Sequence, residues 1–264
     1  MARLRDKYWI WGHPENCFLG QYNNDRVCRM TPAEGALYLG ARNMYMVPMD
    51  LDVNWRQYNL SFTTMDHVGW MMDINPDKVE KLIEEAKEFP NIDRAVFDDF
   101  FAKKNLMKQN DDRDVRVAEV EALRDRLHTN EVRPLEMWMV LYTWDFISQK
   151  EEDVVPYLEP FDGIILWTWN ENCLADFEKN YKWFLDHTEG KKRMLGLYLY
   201  DFGDKKPSDP EWVKWELDRY RELLLAGEVE GIVLHTNALA DCGYEAFPVV
   251  HEWMKKHGDE IIPD

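Results

Sequence analysis

The sequence predicts an α/β fold, a single-domain (β/α)8 TIM barrel. Eight short apolar runs alternate with longer amphipathic stretches, which is the pattern of repeated parallel β-α units. The chain has 264 residues, a length typical of one such barrel. Several amphipathic stretches also open with helix start signals, which mark the boundaries between units. We therefore expect residues 1–264 to form one barrel domain.

The eight apolar runs are rich in β-branched and aromatic residues, as expected for barrel strands that are buried on both faces. They are Lys7–Gly12, Asn43–Pro48, His67–Asp73, Ile92–Asp98, Leu135–Thr143, Gly163–Trp169, Met194–Tyr200 and Gly231–Thr236. Gly190 and Gly227 precede the last two runs, and a glycine at such a position ends the preceding helix.

Helix starts are explicit at three places in the chain. The segment Thr31-Pro32-Ala33-Glu34 is a capping box with proline at the first helical position. Asn75-Pro76 and Asp209-Pro210 repeat the order of a capping residue followed by proline. Apolar residues at helical spacing form two stripes that we expect to pack on the sheet: Val79, Leu82, Ile83, Ala86 and Phe89, and Leu174, Phe177, Tyr181, Phe184 and Leu185.

Two stretches have poor helical character. Leu51–Asp66 should hold the second helix, but it is rich in Asn, Ser and Thr, so the second βα unit is predicted to be irregular. We expect its Trp55 and Tyr58 to cover part of the barrel rim. Lys103–Arg113 is predicted to be a long polar loop on the same face.

Charge and composition exclude several classes of partner. Asp and Glu number 50 against 32 Lys and Arg, a net charge of −18 that repels phosphate backbones and anionic lipids. We therefore expect neither nucleic acid nor membrane as a partner. The chain contains no apolar run of about 18 to 20 residues and no signal-peptide core near Met1, so we expect a cytoplasmic protein.

The four cysteines and the motif content give no evidence for a cofactor. Cys17, Cys28, Cys173 and Cys242 lack metal-binding spacing and are interpreted as free thiols. Dinucleotide-binding, P-loop and serine-hydrolase motifs are absent as well. We predict no cofactor and no metal. The oligomeric state stays open.

Candidate ligand-binding residues lie where the predicted strands end, because barrel enzymes carry their functional groups at the C-terminal ends of the strands. Carboxylates, imidazoles and aromatic rings converge there, and indole rings are common stacking surfaces for sugars. The candidates are His13, Glu15, Asp50, Trp70, Asp73, Tyr142, Trp144, Trp167, Trp169, Tyr200 and His235. For Trp70 and Trp167, packing in the core is an equally good interpretation. Asp145, Asp162 and Asp204 are interpreted as structural residues.

Asp98 and Asp99 are the predicted catalytic acids. They follow Val96-Phe97 and precede Phe100-Phe101, so at least one carboxyl is expected in apolar surroundings. Burial and a neighbouring like charge both raise a carboxyl pKa, which makes a general acid usable near neutral pH. Glycoside hydrolysis needs a second carboxylate. Asp201 is the leading candidate for it, and Asp50, Asp73 and Glu171 are the alternatives.

Five segments together resemble a poorly characterised bacterial family of glycoside-hydrolase-like TIM barrels. They are Trp11-Gly12-His13, Met30-Thr31-Pro32-Ala33-Glu34, Asn91 to Phe101, Leu166-Trp167-Thr168-Trp169 and Gly196 to Asp201. The resemblance covers most of the chain and implies a barrel that acts on carbohydrate, without naming a sugar. The sequence Phe-Asp-Asp-Phe-Phe also resembles the acid-bearing strands of established barrel glycosidases, many of which have Glu at this place.

The leading functional hypothesis is a glycoside hydrolase that acts on a small saccharide. A metal-dependent sugar isomerase, epimerase or lyase on the same barrel is the second hypothesis. Its ligands would come from His13, Glu15, Asp50, Asp73, Asp99 and His235. A sugar-binding barrel without catalysis is the third.

Overall fold

The fold is a closed barrel of parallel strands. The computed structural model describes residues 1–49, 51–111 and 115–262, without the side chains of residues 106 and 108–111. Within these ranges eight strands close the barrel in the order β1-β2-β3-β4-β5-β6-β7-β10. They are β1 (Tyr8–Gly12), β2 (Asn43–Met46), β3 (Val68–Met72), β4 (Ile92–Phe97), β5 (Glu136–Tyr142), β6 (Gly163–Trp167), β7 (Lys192–Tyr198) and β10 (Gly231–His235). Each lies within two residues of its predicted bounds, so the predicted fold class is confirmed.

Helices alternate with the strands and surround them. They are α1 (Pro32–Leu39), α2 (Trp55–Ser61), α3 (Pro76–Glu88), α4 (Phe100–Asp111), α5 (Val117–His128), α6 (Thr143–Ser148), α7 (Glu151–Val154), α8 (Phe177–His187), α9 (Pro210–Leu225) and α10 (Ala246–His257). Short 3-10 helices cover Leu4–Lys7, Val155–Tyr157, Glu171–Asp176 and Asn237–Leu239. After β7 the chain forms a small antiparallel ribbon of β8 (Tyr200–Asp201) and β9 (Lys206–Pro207).

The predicted helix starts are confirmed. The Thr31 hydroxyl accepts a hydrogen bond from the Glu34 N–H at 3.2 Å, and the Glu34 carboxylate accepts one from the Thr31 N–H at 2.9 Å. Asn75 and Asp209 cap α3 and α9 through their side chains. These hydrogen bonds satisfy N–H groups that the first helical turn leaves without partners.

Aromatic rings and one charged network fill the lower barrel. Trp9 stacks on Tyr45 at 4.5 Å, and the Arg94 guanidinium lies 4.4 Å from the Trp9 ring and 5.3 Å from the Trp138 ring. Arg94 is buried and lies 3.6 Å from the carboxylate of Glu136, so its charge is compensated inside the barrel. This packed interior leaves space for a ligand only near the C-terminal ends of the strands.

The second βα unit is irregular except for the short helix α2, which spans about two turns. Trp55, predicted to cover the rim, instead stacks on Trp70 with ring centroids 4.1 Å apart and is 6% exposed. The Trp70 indole N–H donates to the side chain of Asn59 at 2.9 Å. A helix this short is marginal alone, and burial of Trp55 supplies its tertiary support.

The prediction of a polar loop over Lys103–Arg113 is wrong. Helix α4 runs through Asp111, and Arg113 lies outside the described residues. Phe100 and Phe101 are both buried and anchor the first turn of α4. Good helix formers such as Ala102 then continue the helix despite its polar composition. None of the helices among the described residues is long and apolar enough to span a membrane.

Candidate active site

A cavity of about 100 Å³ opens where the barrel strands end. It is small compared with the roughly 300–1,000 Å³ of pockets that enclose drug-sized ligands, so it fits a single ring or a smaller group. Its walls are mostly aromatic and its polar groups are two carboxylates, two imidazoles and the phenols and indoles. The lining residues are Trp11, His13, Phe18, Tyr22, Met49, Asp98, Asp99, Tyr142, Trp167, Trp169, Tyr198, Phe202 and His235.

Asp98 and Asp99 both line this cavity, although neighbouring residues of a regular strand point to opposite faces. Strand β4 ends at Phe97, and Asp99 adopts a left-handed backbone conformation with φ of 53°. That conformation turns the chain into α4 and lets both carboxyl groups reach the same space. The Asp99 N–H donates to a carboxyl oxygen of Asp98 at 2.9 Å, which fixes the geometry of the pair.

The environment of Asp98 favours its protonated form. Burial, reinforced by the negative charge of Asp99, raises the pKa of Asp98 to about 7. Three groups oppose this rise in the pKa of Asp98. The Lys103 ammonium donates to the Asp98 carbonyl oxygen at 2.9 Å, and the Tyr142 hydroxyl donates to the Asp98 carboxyl at 2.9 Å. The Asp99 N–H is the third. A carboxyl with this pKa can hold a proton at neutral pH and release it to a bound ligand.

His13 and His235 form a neutral imidazole pair at the base of the cavity. Burial lowers the pKa of His13 to about 4, and burial also holds the pKa of His235 well below its usual range. The His13 Nδ1 lies 2.9 Å from the carbonyl oxygen of Val47, which can only accept, so Nδ1 carries the proton of the neutral ring. The His13 Nε2 therefore accepts, and the His235 Nε2, 3.4 Å away, is the donor.

This tautomer assignment leaves one acceptor without a partner. The His235 Nδ1 carries a lone pair and is buried, and it has no hydrogen-bond partner among the described residues. The Trp167 Nε1, a donor, is likewise buried and has no partner in the part of the chain that the structure describes. Both side chains line the cavity. Buried polar groups are rarely left unsatisfied, and a ligand hydroxyl, which both donates and accepts, matches this combination.

Asn237 holds the His13 segment in place. The Asn237 side chain accepts from the His13 N–H at 2.7 Å and donates to the His13 carbonyl oxygen at 3.0 Å. Its amide also donates to the carbonyl oxygen of Met30 at 2.9 Å. The buried Asn237 side chain thus joins the ends of β1 and β10, which carry the two imidazoles. The peptide bond between His235 and Thr236 is cis.

Backbone strain is concentrated around the cavity. Tyr22, Met49 and Asp99 line it and have φ values of 50°, 58° and 53°. Residues other than glycine rarely adopt this left-handed region because it costs free energy, and such residues cluster at functional sites. Three residues with a left-handed backbone, from three different loops, therefore meet at this cavity, which supports it as the candidate site.

The structure brings seven of the fourteen predicted site residues to the cavity. Trp169 forms edge contacts with Tyr142 at 5.7 Å and with Tyr198 at 5.7 Å, and the exposed Trp144 packs on Trp169 at 5.1 Å at the rim. The predicted residues that line the cavity are His13, Asp98, Asp99, Tyr142, Trp167, Trp169 and His235. Asp50 lies outside the described residues.

Besides Trp144 at the rim, four of the predicted ligand-binding residues that the structure describes do not line the cavity. Trp70 faces α2 on the outside of the barrel because Gly69, its neighbour in β3, faces Tyr45 and Arg94 inside. Asp73 forms an ion pair with Lys78 at 2.7 Å. Glu15 is exposed, and its carboxylate lies 3.5 Å from the Tyr58 hydroxyl. The Tyr200 hydroxyl donates to the Tyr22 carbonyl oxygen. Each of these side chains therefore has a structural partner or faces solvent.

Asp201, the predicted second catalytic carboxylate, does not line the cavity either. The side chain of Asp201 is 1% exposed, and its two oxygens accept from the N–H groups of Asp204 at 2.9 Å and Glu171 at 3.3 Å. It contacts a separate, much smaller cavity together with Glu171 and Glu216. The strand ends at Tyr198, two residues earlier than predicted, and the ribbon β8–β9 carries Asp201 away from the barrel axis.

Several cavity residues were absent from the sequence-based set: Phe18, Tyr22, Met49, Tyr198 and Phe202. The sequence carries a signal for Tyr198, because this residue has the same strand parity as Tyr200 and is the residue at which β7 ends. Phe18, Tyr22 and Phe202 come from loops, and their side-chain directions have no periodic signal in the sequence.

Within the described part of the chain, the ligands proposed from the sequence for a mixed metal site do not form a group close enough to share an ion. Among the described residues, the His, Cys, Asp and Glu side chains close enough to share an ion are Cys28, Asp241 and Cys242. Asp145 and Asp162 accept hydrogen bonds from backbone N–H groups, which supports their interpretation as structural residues.

No family model matches this chain, and no curated protein matches its sequence. Among solved structures, it is similar to active domain 2 of a thermostable chitinase from Pyrococcus furiosus, with a TM-score of 0.59, 9% identity, and coverage of 98% of this chain and 99% of that chain. It is also similar to the GH99 endo-alpha-mannosidase from Bacteroides thetaiotaomicron, with a TM-score of 0.54, 10% identity and coverage of 92% and 86%. A tryptophan synthase from M. tuberculosis gives a TM-score of 0.50, 10% identity and coverage of 97% and 93%. At these identities the likeness extends to the fold alone, a TIM barrel that glycoside hydrolases share.

Proposed function

We propose that this protein is a glycoside hydrolase that acts on a small saccharide, with Asp98 as the general acid. The observation that carries the proposal is the Asp98 carboxyl, whose pKa is raised to about 7 at the edge of an aromatic-walled cavity of single-ring size. Cleavage of a glycosidic bond requires protonation of the leaving oxygen, and an acid is most effective when its pKa is close to the working pH.

Asp99 is the proposed second carboxylate. It lines the same cavity, and its negative charge contributes to the raised pKa of Asp98. When two neighbouring carboxyl groups hold one proton between them, one group can act as the acid while the other stays charged. The transition state of glycoside hydrolysis resembles an oxocarbenium ion. The Asp99 carboxylate stabilises that positive charge while Asp98 protonates the leaving group. Water then forms the new bond to the anomeric carbon and gives a proton to Asp98, which restores the acid.

The rest of the cavity supports a sugar ring as the ligand. Trp169 and Tyr142 provide ring surfaces on which the apolar faces of a sugar pack. The partnerless donor of Trp167 and acceptor of His235 suit one sugar hydroxyl. The fold-level likeness to a chitinase and an endo-alpha-mannosidase is consistent with this substrate class.

The proposal is tested with a panel of aryl glycosides that differ in sugar and anomeric configuration. Replacing Asp98 with Asn keeps the side-chain size and removes the proton donor, so Asp98→Asn should lower kcat/KM by roughly 100-fold or more on any glycoside that the wild type cleaves. The wild-type rate should fall as the pH rises through about 7, because the active form of Asp98 is protonated. Asp153→Asn, at an exposed position of α7, is the matched control.

Circular dichroism of each variant is the check that the fold is retained. Full activity of Asp98→Asn would refute the role of Asp98. If saccharides bind by calorimetry but the wild type releases no aglycone from any member of the panel, the proposal of a hydrolase fails and a sugar-binding barrel is favoured.

A further inference from the structure

A second group of reactive side chains lies outside the cavity. Cys28 belongs to the loop before α1, and Asp241 and Cys242 follow the 3-10 helix Asn237–Leu239 after β10. Their two sulfur atoms and a carboxylate oxygen all lie within 4.8 Å of one another. Both cysteines are buried and Asp241 is exposed.

The spacing is close to that of a tetrahedral zinc site. Zinc binds thiolate sulfur at about 2.3 Å and carboxylate oxygen at about 2.0–2.2 Å, which places such ligand atoms roughly 3.3–3.8 Å apart. The two sulfurs and the carboxylate oxygen, which lie within 4.8 Å of one another, therefore need to approach each other by only about 1 Å to bind the ion. Two sulfurs and one oxygen are ligands that zinc accepts, and they leave the fourth position for water.

The surrounding hydrogen bonds hold the ligands in place. The Arg29 N–H donates to both carboxylate oxygens of Asp241, at 3.0 and 3.3 Å. The Cys28 thiol contacts the Asn237 carbonyl oxygen at 3.3 Å, and the Arg26 guanidinium donates to the Cys242 carbonyl oxygen at 2.8 Å. The Arg29 contact is of the outer kind that orients a metal ligand and raises affinity, whereas the Cys28 thiol must give up its contact with Asn237 when it binds zinc as a thiolate.

We propose that Cys28, Asp241 and Cys242 form a binding site for Zn²⁺. The bound ion joins the loop before α1 to the segment after β10. The first of these loops also carries Phe18 and Tyr22, and β10 ends at His235, so the site fastens two walls of the cavity to each other.

Binding must release thiol protons, because zinc takes thiolates. The affinity for Zn²⁺ should therefore increase with pH.

Titration of the reduced, chelator-treated full chain with Co²⁺ tests the proposal, since thiolate coordination gives intense near-ultraviolet absorption. The wild type should bind one equivalent, and Zn²⁺ should displace it. Cys28→Ser and Cys242→Ser should each weaken binding by more than the roughly 10- to 100-fold that loss of an outer contact costs. Asp241→Asn should weaken it as well, and this exposed position remains informative if a buried cysteine variant fails to fold.

The matched control is a Cys17→Ser, Cys173→Ser double variant, which removes the two thiols outside the group and should bind like the wild type. The proposal fails if the reduced wild type binds no Co²⁺ or Zn²⁺, or if Asp241→Asn and the cysteine variants bind as tightly as the control. It also fails if the absorption is lost in the control but kept in Cys28→Ser.

Discussion

Asp98 illustrates how neighbouring residues set the chemistry of one carboxyl group. Burial and the charge of Asp99 raise its pKa, and the Tyr142 hydroxyl partly opposes that shift by donating to the charged form. The balance leaves the pKa near 7, where a carboxyl can both hold and give up a proton. Tyr142 thus positions Asp98 and adjusts its acidity without needing to touch the reacting bond.

Replacement of Tyr142 by Phe tests this role. The hydrogen bond at 2.9 Å lowers the pKa of Asp98, so Tyr142→Phe should raise that pKa and move the alkaline limb of the rate profile to higher pH. The measurement is kcat/KM against pH on a glycoside that the wild type cleaves. Tyr38→Phe, a substitution at a ring that stacks on His251 outside the barrel, should leave the limb unmoved. An unchanged profile in Tyr142→Phe would exclude the proposed adjustment.

At the scale of elements, short segments take their structure from the surface they cover. Helix α2 has seven residues and owes its place to Trp55, which stacks on Trp70, and to Asn59, which accepts from the Trp70 indole. Helix α4 is anchored by the buried Phe100 and Phe101. In both cases tertiary contact outweighs weak local propensity.

Trp55→Ala should lower stability without affecting the cavity. Loss of a buried Trp side chain typically costs about 3–5 kcal/mol in the free energy of unfolding. Because Trp70 faces away from the cavity, kcat/KM per folded molecule should stay within a few-fold of wild type. Denaturant unfolding and the glycoside assay measure the two effects. A large loss of activity in protein that remains folded would contradict this prediction and would show that Trp70 and α2 contribute to the active site.

At the scale of the whole molecule, buried titrating groups make stability depend on pH. Burial raises the pKa of Glu216 to about 8 and that of Asp145 to about 7, so the folded state keeps protons that the unfolded chain has lost. The unfolding free energy therefore falls as the pH rises toward about 8. Below about pH 6.5 the lowered pKa values of His13 and His235 act in the opposite direction, since stability is lost there as the pH falls.

The prediction for the wild type is a melting temperature that decreases from pH 6.5 to pH 8.5. Glu216→Gln removes one of the groups that cause this decrease. Between pH 6.5 and pH 8.5 the free energy of unfolding of the variant should therefore fall by roughly 1–2 kcal/mol less than that of the wild type, which corresponds to a few degrees in Tm. Glu189→Gln, at an exposed position, is the control. An identical pH dependence in Glu216→Gln and wild type would contradict the raised pKa of Glu216.

The sequence by itself determined the fold class, the eight barrel strands and most of the cavity. Apolar runs, capping boxes and proline positions are local signals, and they predict strand bounds to within two residues. Asp98, Tyr142, Trp169 and His235 were found because barrel strands deliver their last residues to one rim.

Only the tertiary structure decided which of the remaining candidates share the cavity. For Trp70 the sequence leaves ligand binding and core packing open, and closure of the barrel decides for core packing because it sets which parity of β3 points inward. The position of Asp201 depends on a ribbon that begins where β7 ends. The left-handed backbone of Asp99 and the partnerless atoms of Trp167 and His235 arise from packing between distant segments. Such contacts join residues far apart in the chain, so no local pattern specifies them.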